Sequence, residues 1–250
     1  MKILCIDTSS DICGISILEN TNSLINLDNN TGKTHSENLM PMIKTAFDKT
    51  NLSLKDINLI ACNIGPGSFT GIRIGVASSK AFQDSLGIPC IGISSLESLA
   101  YNILLKNNIP FDKNRSNLIC SILDCKNNNC YFALYETKGN YLEDLIEPEC
   151  DSINTCISIL QCYLDDNFDN YNIIFVGDGS KTFENQINEK FKFAKILDEN
   201  LDVLNSYNLG ICGFYKYKNG FDLNKDFLPL YLKKPQAQMQ LENGNIKIFN

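Results

Sequence analysis

The chain has 250 residues, 44% hydrophobic, 20% charged and 10% aromatic, an ordinary globular composition long enough for one broad domain or two modest ones. Its formal net charge of −7 argues against the basic face of an autonomous RNA- or DNA-binding domain, so a nucleic-acid role would be exercised through a partner. No run approaches the roughly 18 apolar residues of a membrane span, and the opening MKILCIDTSS turns polar too soon for a signal peptide.

Residues 3–7 (ILCID) and 12–18 (ICGISIL) are apolar runs around a polar turn and predict a β-hairpin, with a third strand near 23–27. A helix is expected over 34–47: Thr34 and Glu37 form a capping-box pair, and Leu39, Ile43 and Phe47 recur at helical spacing around Pro41. An apolar strand at 57–64 leads into a helix that ends near Leu86, with Gly87 as its C′ residue and Pro89 beyond. A short strand at 90–93 precedes a helix reaching about residue 105. The polar stretch 106–117 (KNNIPFDKNRSN) suits a linker. Beyond it, strands at 118–124 and 131–136 flank the turn KNNN. A helix near 152–164, a strand at 173–176 ending in Gly-Asp-Gly, a helix from about 181 and a helix at 205–217 complete the series. Both halves open with strand–turn–strand and continue by alternation, the order of a duplicated α/β unit.

Eleven cysteines are many, but no Cys-x-x-Cys pair occurs, and neither the spacing of Cys120, Cys125 and Cys130 nor that of Cys150, Cys156 and Cys162 suits zinc. Reduced thiols of a cytosolic protein are the expectation.

The stretch NIGPGSFTGIRIGVASSKAF, residues 63–82, looks like a phosphate loop. It fails both nucleotide patterns: no Gly-Lys follows at the required spacing, and Gly71 comes one residue late after Gly65-x-Gly67. Read as a turn with Ser68 or Thr70 capping a helix, it instead places Gly71, Gly75 and Ser79 on one helix face. Two glycines there, each costing about 0.5–1 kcal/mol relative to alanine, imply a close compensating contact. That contact lies either against the domain's own sheet or against a partner helix, with Ile72, Val76 and Phe82 beside the seam.

GPGSFTGIRIGVASSKAF, MKILCIDTSS, THSENLMPMI and GIPCIGISSLESLA together resemble the bacterial TsaB (YeaZ) family, with thinner agreement at VGDGS and PLYLKKPQAQ. Within 124–131 (DCKNNNCY), Lys126 and Asn129 stand where the family usually has Arg and Glu, so no role is carried over to them. The resemblance implies an α/β, two-lobed actin/Hsp70/sugar-kinase (ASKHA) type fold with a duplicated βββαβα core. Residues 1–105 would form the first lobe and 106–204 the second, with 205–250 packing back on the first. It implies a cytoplasmic, non-catalytic subunit required for N6-threonylcarbamoyladenosine at adenosine 37 of ANN-decoding tRNAs. Its implied partners are a TsaD-type catalytic subunit and a TsaE-type ATPase, with tRNA met through the complex and no membrane. Pairing would use the helices at 34–47 and 70–86, through Leu39, Met40, Ile43, Phe47, Gly71, Ile72, Gly75, Val76, Ser79 and Phe82. A homodimer would use the same surface.

The catalytic paralogue's two metal-binding histidines fall, by the same resemblance, on Ser95 and Leu99 here, and leucine cannot ligate a metal. The chain's single histidine, His35, reads as a surface residue beside a capping Thr, so no metal site is assembled. No cofactor is implied beyond a weak or shared ATP/ADP contact. For that contact the fold class points to Asp7, Thr8 and Ser9 and to Gly177, Asp178 and Gly179, which otherwise serve as capping and turn residues. The rival reading is an autonomous ASKHA-type small-molecule kinase or ATPase.

Overall fold

The structure is a computed structural model that describes residues 1–30, 34–105, 115–164, 171–192, 194–197, 203–221, 223 and 227–233. Strands β1 (Lys2–Asp7), β2 (Cys13–Glu19), β3 (Asn22–Asn29), β4 (Leu59–Gly65) and β5 (Cys90–Ser94) form one sheet in the order β3-β2-β1-β4-β5. The first three strands are an antiparallel meander, while β4 runs parallel to β1 and β5 parallel to β4. The parallel strands are almost uninterrupted apolar runs because helices cover both faces of the sheet.

The second sheet holds β6 (Ser116–Asp124), β7 (Asn129–Lys138), β8 (Tyr141–Ser152), β9 (Tyr171–Val176) and β10 (Lys195–Ile196) in the order β10-β9-β6-β7-β8. Read from the other edge, it repeats the first sheet: an antiparallel triplet, then two parallel strands.

Helices α1 (His35–Thr50) and α2 (Phe69–Leu86) cover one face of the first sheet, burying Leu39, Ile43, Phe47, Ile72 and Val76 against Leu4, Ile6, Ile15 and Ile17. The opposite face is covered by α7 (Ser206–Lys218), through Leu209, Ile211 and Cys212. In the second lobe α4 (Ile153–Leu164) and α6 (Glu184–Lys190) cover one face, and the short α5 (Asp178–Thr182) follows β9. Helix α3 (Ser95–Leu104) joins the lobes. Its Leu96, Leu99, Ala100 and Ile103 pack on Ile119, Ala133, Tyr135, Ile174 and Val176 of the second sheet, while Tyr101 joins the core beneath α7.

Local signals explain the boundaries. Helix α2 starts at Ser68, whose hydroxyl accepts the Gly71 amide at 3.2 Å, and stops at left-handed Gly87. At the start of α1 the Thr34 amide and hydroxyl both donate to Glu37 Oε2. That helix continues through exposed Pro41 to Thr50.

Some expectations need correction. Strand β8 lies where none was expected, because YLEDLIEPECDS carries five acidic residues and a proline, a composition that suits an edge strand paired on one side only. The end of the expected linker, residues 116–117, belongs to β6; residues 106–114 lie outside the described residues, as does the tail beyond 233. The helix expected from about 181 is two short helices, the first starting at Asp178. Among the described residues, no helix is long and apolar enough to cross a membrane.

Candidate functional site

The turn after β1 is a closed polar network. Asp7 Oδ1 accepts from the Ser9 amide at 3.0 Å and the Ser9 hydroxyl at 2.7 Å, and Oδ2 accepts from Asn63 Nδ2 at 3.0 Å. Asn63 Oδ1 in turn accepts the Gly65 amide and the Ser95 hydroxyl, both at 2.9 Å, tying β1, β4 and α3 together. Burial pushes the Asp7 carboxyl up despite these donors and nearby His35. The Thr8 hydroxyl donates to the Gly71 carbonyl, and the Ser68 amide donates to the Ser9 carbonyl. Asp7, Thr8 and Ser9 are all buried, and their side chains bond within the lobe.

The second-lobe turn is closed as well. The Ser180 amide and hydroxyl donate to the Gly177 carbonyl at 2.9 and 2.7 Å, and Asp178 accepts the Asp124 amide at 2.9 Å. Gly177 and Gly179 lie against Ile122, so Gly177-Asp178-Gly179 packs the start of α5 onto β6. Of the six residues read as nucleotide contacts, five are buried and the Asp178 side of the turn is exposed.

The glycine face of α2 turns inward. A β-carbon on Gly71 would lie 1.9 Å from the Thr8 carbonyl oxygen, and one on Gly75 2.5 Å from Thr8 Oγ1, while the Ser79 hydroxyl is buried on the Gly75 carbonyl. The close contact predicted by those glycines is therefore made by the domain's own first strand and turn. Leu39, Ile43, Phe47, Ile72 and Val76 are buried in the same core. Of the residues expected to meet a partner, Met40 is exposed at 45% and Phe82 is half-buried, while the others are buried in this lobe. The outward face of the helix pair carries Met40, Lys44 and Asp48 on α1 and Arg73, Ala77 and Ala81 on α2. The signal that could have found it was present: Ala77 and Ala81 repeat at four residues on the side opposite Gly71 and Gly75.

His35 is half-buried, its ring against the Gly71 position; its Nδ1 is buried with no hydrogen-bond partner among the described residues. Ser95 and Leu99 are both fully buried, the first bound to Asn63 and the second in the core between α3 and the second sheet.

Among the described residues, cavities open between the lobes, two of which bear on the site. The larger, about 660 Å³, is lined by Phe69 and Ile72 of α2, by Cys125, Lys126 and Tyr131 from the β6–β7 hairpin, and by residues 230–233. Along its rim the Arg73 guanidinium lies 3.8 Å over the Phe69 ring and donates to the Tyr231 hydroxyl at 2.6 Å. Lys126 pairs with Asp124, and Lys233 Nζ donates to the Cys125 carbonyl at 2.9 Å. The smaller cavity, about 400 Å³, exposes one edge of a buried Glu97–Lys216 ion pair with N–O distances of 2.9 and 2.7 Å. Sequence reading missed both: Glu97 and Lys216 are 119 residues apart, and no local pattern joins them.

The family model for TsaD, tRNA N6-adenosine threonylcarbamoyltransferase, matches residues 21–241. A Buchnera aphidicola protein named tRNA threonylcarbamoyladenosine biosynthesis protein TsaB is 31% identical over 79% of this chain and 88% of its own length. The Bacillus subtilis protein of the same name is 34% identical over 60% of this chain, an alignment spanning 61% of that relative. Among solved structures, YeaZ from Pseudomonas aeruginosa superposes with a TM-score of 0.70 at 18% identity, covering 92% of this chain and 99% of that one. A ROK hexokinase from Thermus thermophilus gives 0.53 at 10% identity, with 88% and 100% covered. At these identities the likeness concerns the fold, which is the two-lobed actin/Hsp70/sugar-kinase type.

Proposed function

We infer the function from the premise that this chain belongs to the TsaB family, given the TsaB relative 31% identical and covered over 88% of its length, with the TsaD family model matching residues 21–241. We propose that it serves tRNA threonylcarbamoyladenosine biosynthesis as a non-catalytic, cytoplasmic subunit. In this reading it scaffolds and activates a TsaD-type catalytic subunit together with a TsaE-type ATPase, and meets tRNA through that assembly.

One observation carries the non-catalytic reading. The two positions that the resemblance aligns with the paralogue's metal histidines are Ser95 and Leu99, on the helix that joins the lobes. Leu99 offers no donor atom and is enclosed by the second sheet; Ser95 spends its hydroxyl on Asn63. What the paralogue would use for chemistry, this chain uses to hold its lobes together.

The pairing face in this proposal is the outward side of α1 and α2, with Met40, Arg73, Ala77 and Ala81 at its centre, for a TsaD-type subunit or a second copy. Small side chains there let a partner helix approach closely.

The test is reconstitution of the tRNA modification from TsaD-type and TsaE-type subunits, a threonylcarbamoyl donor and substrate tRNA, with and without this chain. The expected result is product only when the chain is present together with the catalytic subunit. Equal product without it, or product from this chain alone, would overturn the reading.

A further inference from the structure

All eleven cysteines are free, and two of them converge beside the larger cavity from different elements. Cys125 comes from the β6–β7 turn and Cys150 from β8, and their sulfurs lie 3.7 Å apart. We propose that Cys125 and Cys150 form an oxidation site, a dithiol that a peroxide converts into an intramolecular disulfide.

The distance is the first support. A disulfide needs the sulfurs at about 2.0 Å, so the pair must close by about 1.7 Å. Cys125 sits at the start of a turn rather than inside a strand. Lys126, Asn127 and Asn128 follow it at φ of 70, 58 and 61°, outside the strand ladder. The base of the turn is closed by the Cys125 amide on the Asn129 carbonyl at 3.1 Å and the Asn129 amide on the Lys126 carbonyl at 3.2 Å.

Access is the second support. Cys150 is half-buried and Cys125 lines the cavity. The other close pair, Cys130 and Cys156 at 3.3 Å, is enclosed in the core of the second lobe. Cys162 is the exposed cysteine, placed apart on α4.

Charge restrains the pair. Burial pushes the Cys125 thiol up to about 12, with Cys150 and Asp124 adding to this and the Lys233 ammonium opposing it. Burial also raises the Cys150 thiol, with Cys156 and Asp151 adding to it and the Cys125 hydrogen bond and the same ammonium opposing it. Lys233 thus offsets only part of an effect that leaves both thiols above their ordinary range.

The reaction balances with one peroxide. The Cys150 thiolate attacks a peroxide oxygen, the O–O bond breaks and hydroxide leaves to become water, giving a sulfenic acid. The Cys125 sulfur then attacks the sulfenic sulfur; the S–S bond forms, the S–O bond breaks and a second water carries away the remaining proton. Two thiols lose two electrons and the peroxide gains them. The product ties the β6–β7 turn to β8, so this wall of the cavity changes with redox state.

The experiment treats the full native chain with hydrogen peroxide, blocks remaining thiols by alkylation and maps unreduced peptides by mass spectrometry. The expected result is a Cys125–Cys150 linked peptide, two hydrogens lighter and reversible by dithiothreitol, formed while Cys130 and Cys156 are still reduced. Cys150→Ser should abolish it, with circular dichroism as the check on folding. A Cys130–Cys156 link in its place, or Cys125 and Cys150 both alkylated while Cys162 is oxidised, would overturn the proposal. The wild-type arm decides the matter even if the variant fails to fold.

Discussion

Thr8 and Gly71 clamp the first strand to the helix that follows β4. The Thr8 hydroxyl donates to the Gly71 carbonyl at 2.7 Å, and the Thr8 carbonyl oxygen sits 1.9 Å from the place a Gly71 β-carbon would take. The smooth face of α2 is therefore filled by backbone of its own lobe, and this changes what substitutions there should do.

Gly71→Ala tests the clamp. Alanine would gain about 1 kcal/mol in helix propensity, but its methyl must displace backbone in a tightly packed contact, which typically costs about 1–3 kcal/mol or more. Net destabilisation is expected in urea unfolding. A variant of unchanged or higher midpoint would show that the β1–β2 turn yields easily.

For partner binding, the informative variants lie on opposite sides of one helix. Ala77→Arg, on the exposed side, should abolish co-elution with a TsaD-type subunit while stability stays within about 0.5 kcal/mol. Gly75→Arg should instead unfold the lobe, because its side chain would enter the space held by Thr8 and Cys62. Retained pairing by a folded Ala77→Arg variant would move the interface elsewhere.

Lys216 offers an alkaline test. Burial alone would lower its pKa, but the Glu97 carboxylate outweighs burial and holds the ammonium above the ordinary lysine range. A folded-state pKa above the unfolded value of about 10.5 means that this stabilisation is intact below that pH. It is lost as pH rises through the folded value. Lys216→Met leaves Glu97 buried without its cation and should cost about 3–5 kcal/mol at neutral pH. Unfolding free energies measured from about pH 9 to 12, across the ordinary lysine value of about 10.5, should fall more steeply for the wild type than for the variant.

Asp124 gives the acid counterpart. Burial alone would raise its carboxyl, but the Lys126 amide and ammonium, each donating at 2.8 Å, together hold it below the ordinary range. The depressed pKa makes its contribution present above the unfolded value of 3.8 and lost as pH falls through the folded one. Asp124→Asn should flatten the acid side of the stability curve by about 1 kcal/mol or less, since the pair is partly screened by solvent. A variant that tracks the wild type down to acid pH would remove this role.

Much of the architecture was legible because its signals are local. The capping groups of Thr34 and Ser68, the left-handed Gly87 and the apolar runs of β1, β4 and β5 each act over a few residues, and the elements begin and end where those groups act. Strand β8 escaped because an edge strand needs no apolar alternation; only its pairing with β7 identifies it. The second-lobe Gly-Asp-Gly read as a turn, whereas its position against Ile122 makes it the start of a helix.

By itself the sequence determined most of the elements of the first lobe, the family to which the motifs at 1–100 belong, and that Gly71, Gly75 and Ser79 share one side of a helix. Only the tertiary structure decided what lies against that side. Periodicity sets the angle between residues on one helix, but the direction that angle faces is chosen by the burial of Ile72 and Val76 on the sheet. The same holds for the groups that meet across the lobes. Glu97 with Lys216, Asn63 with Ser95, and Cys125 with Cys150 are joined by packing between distant segments, a relation that no local spacing records.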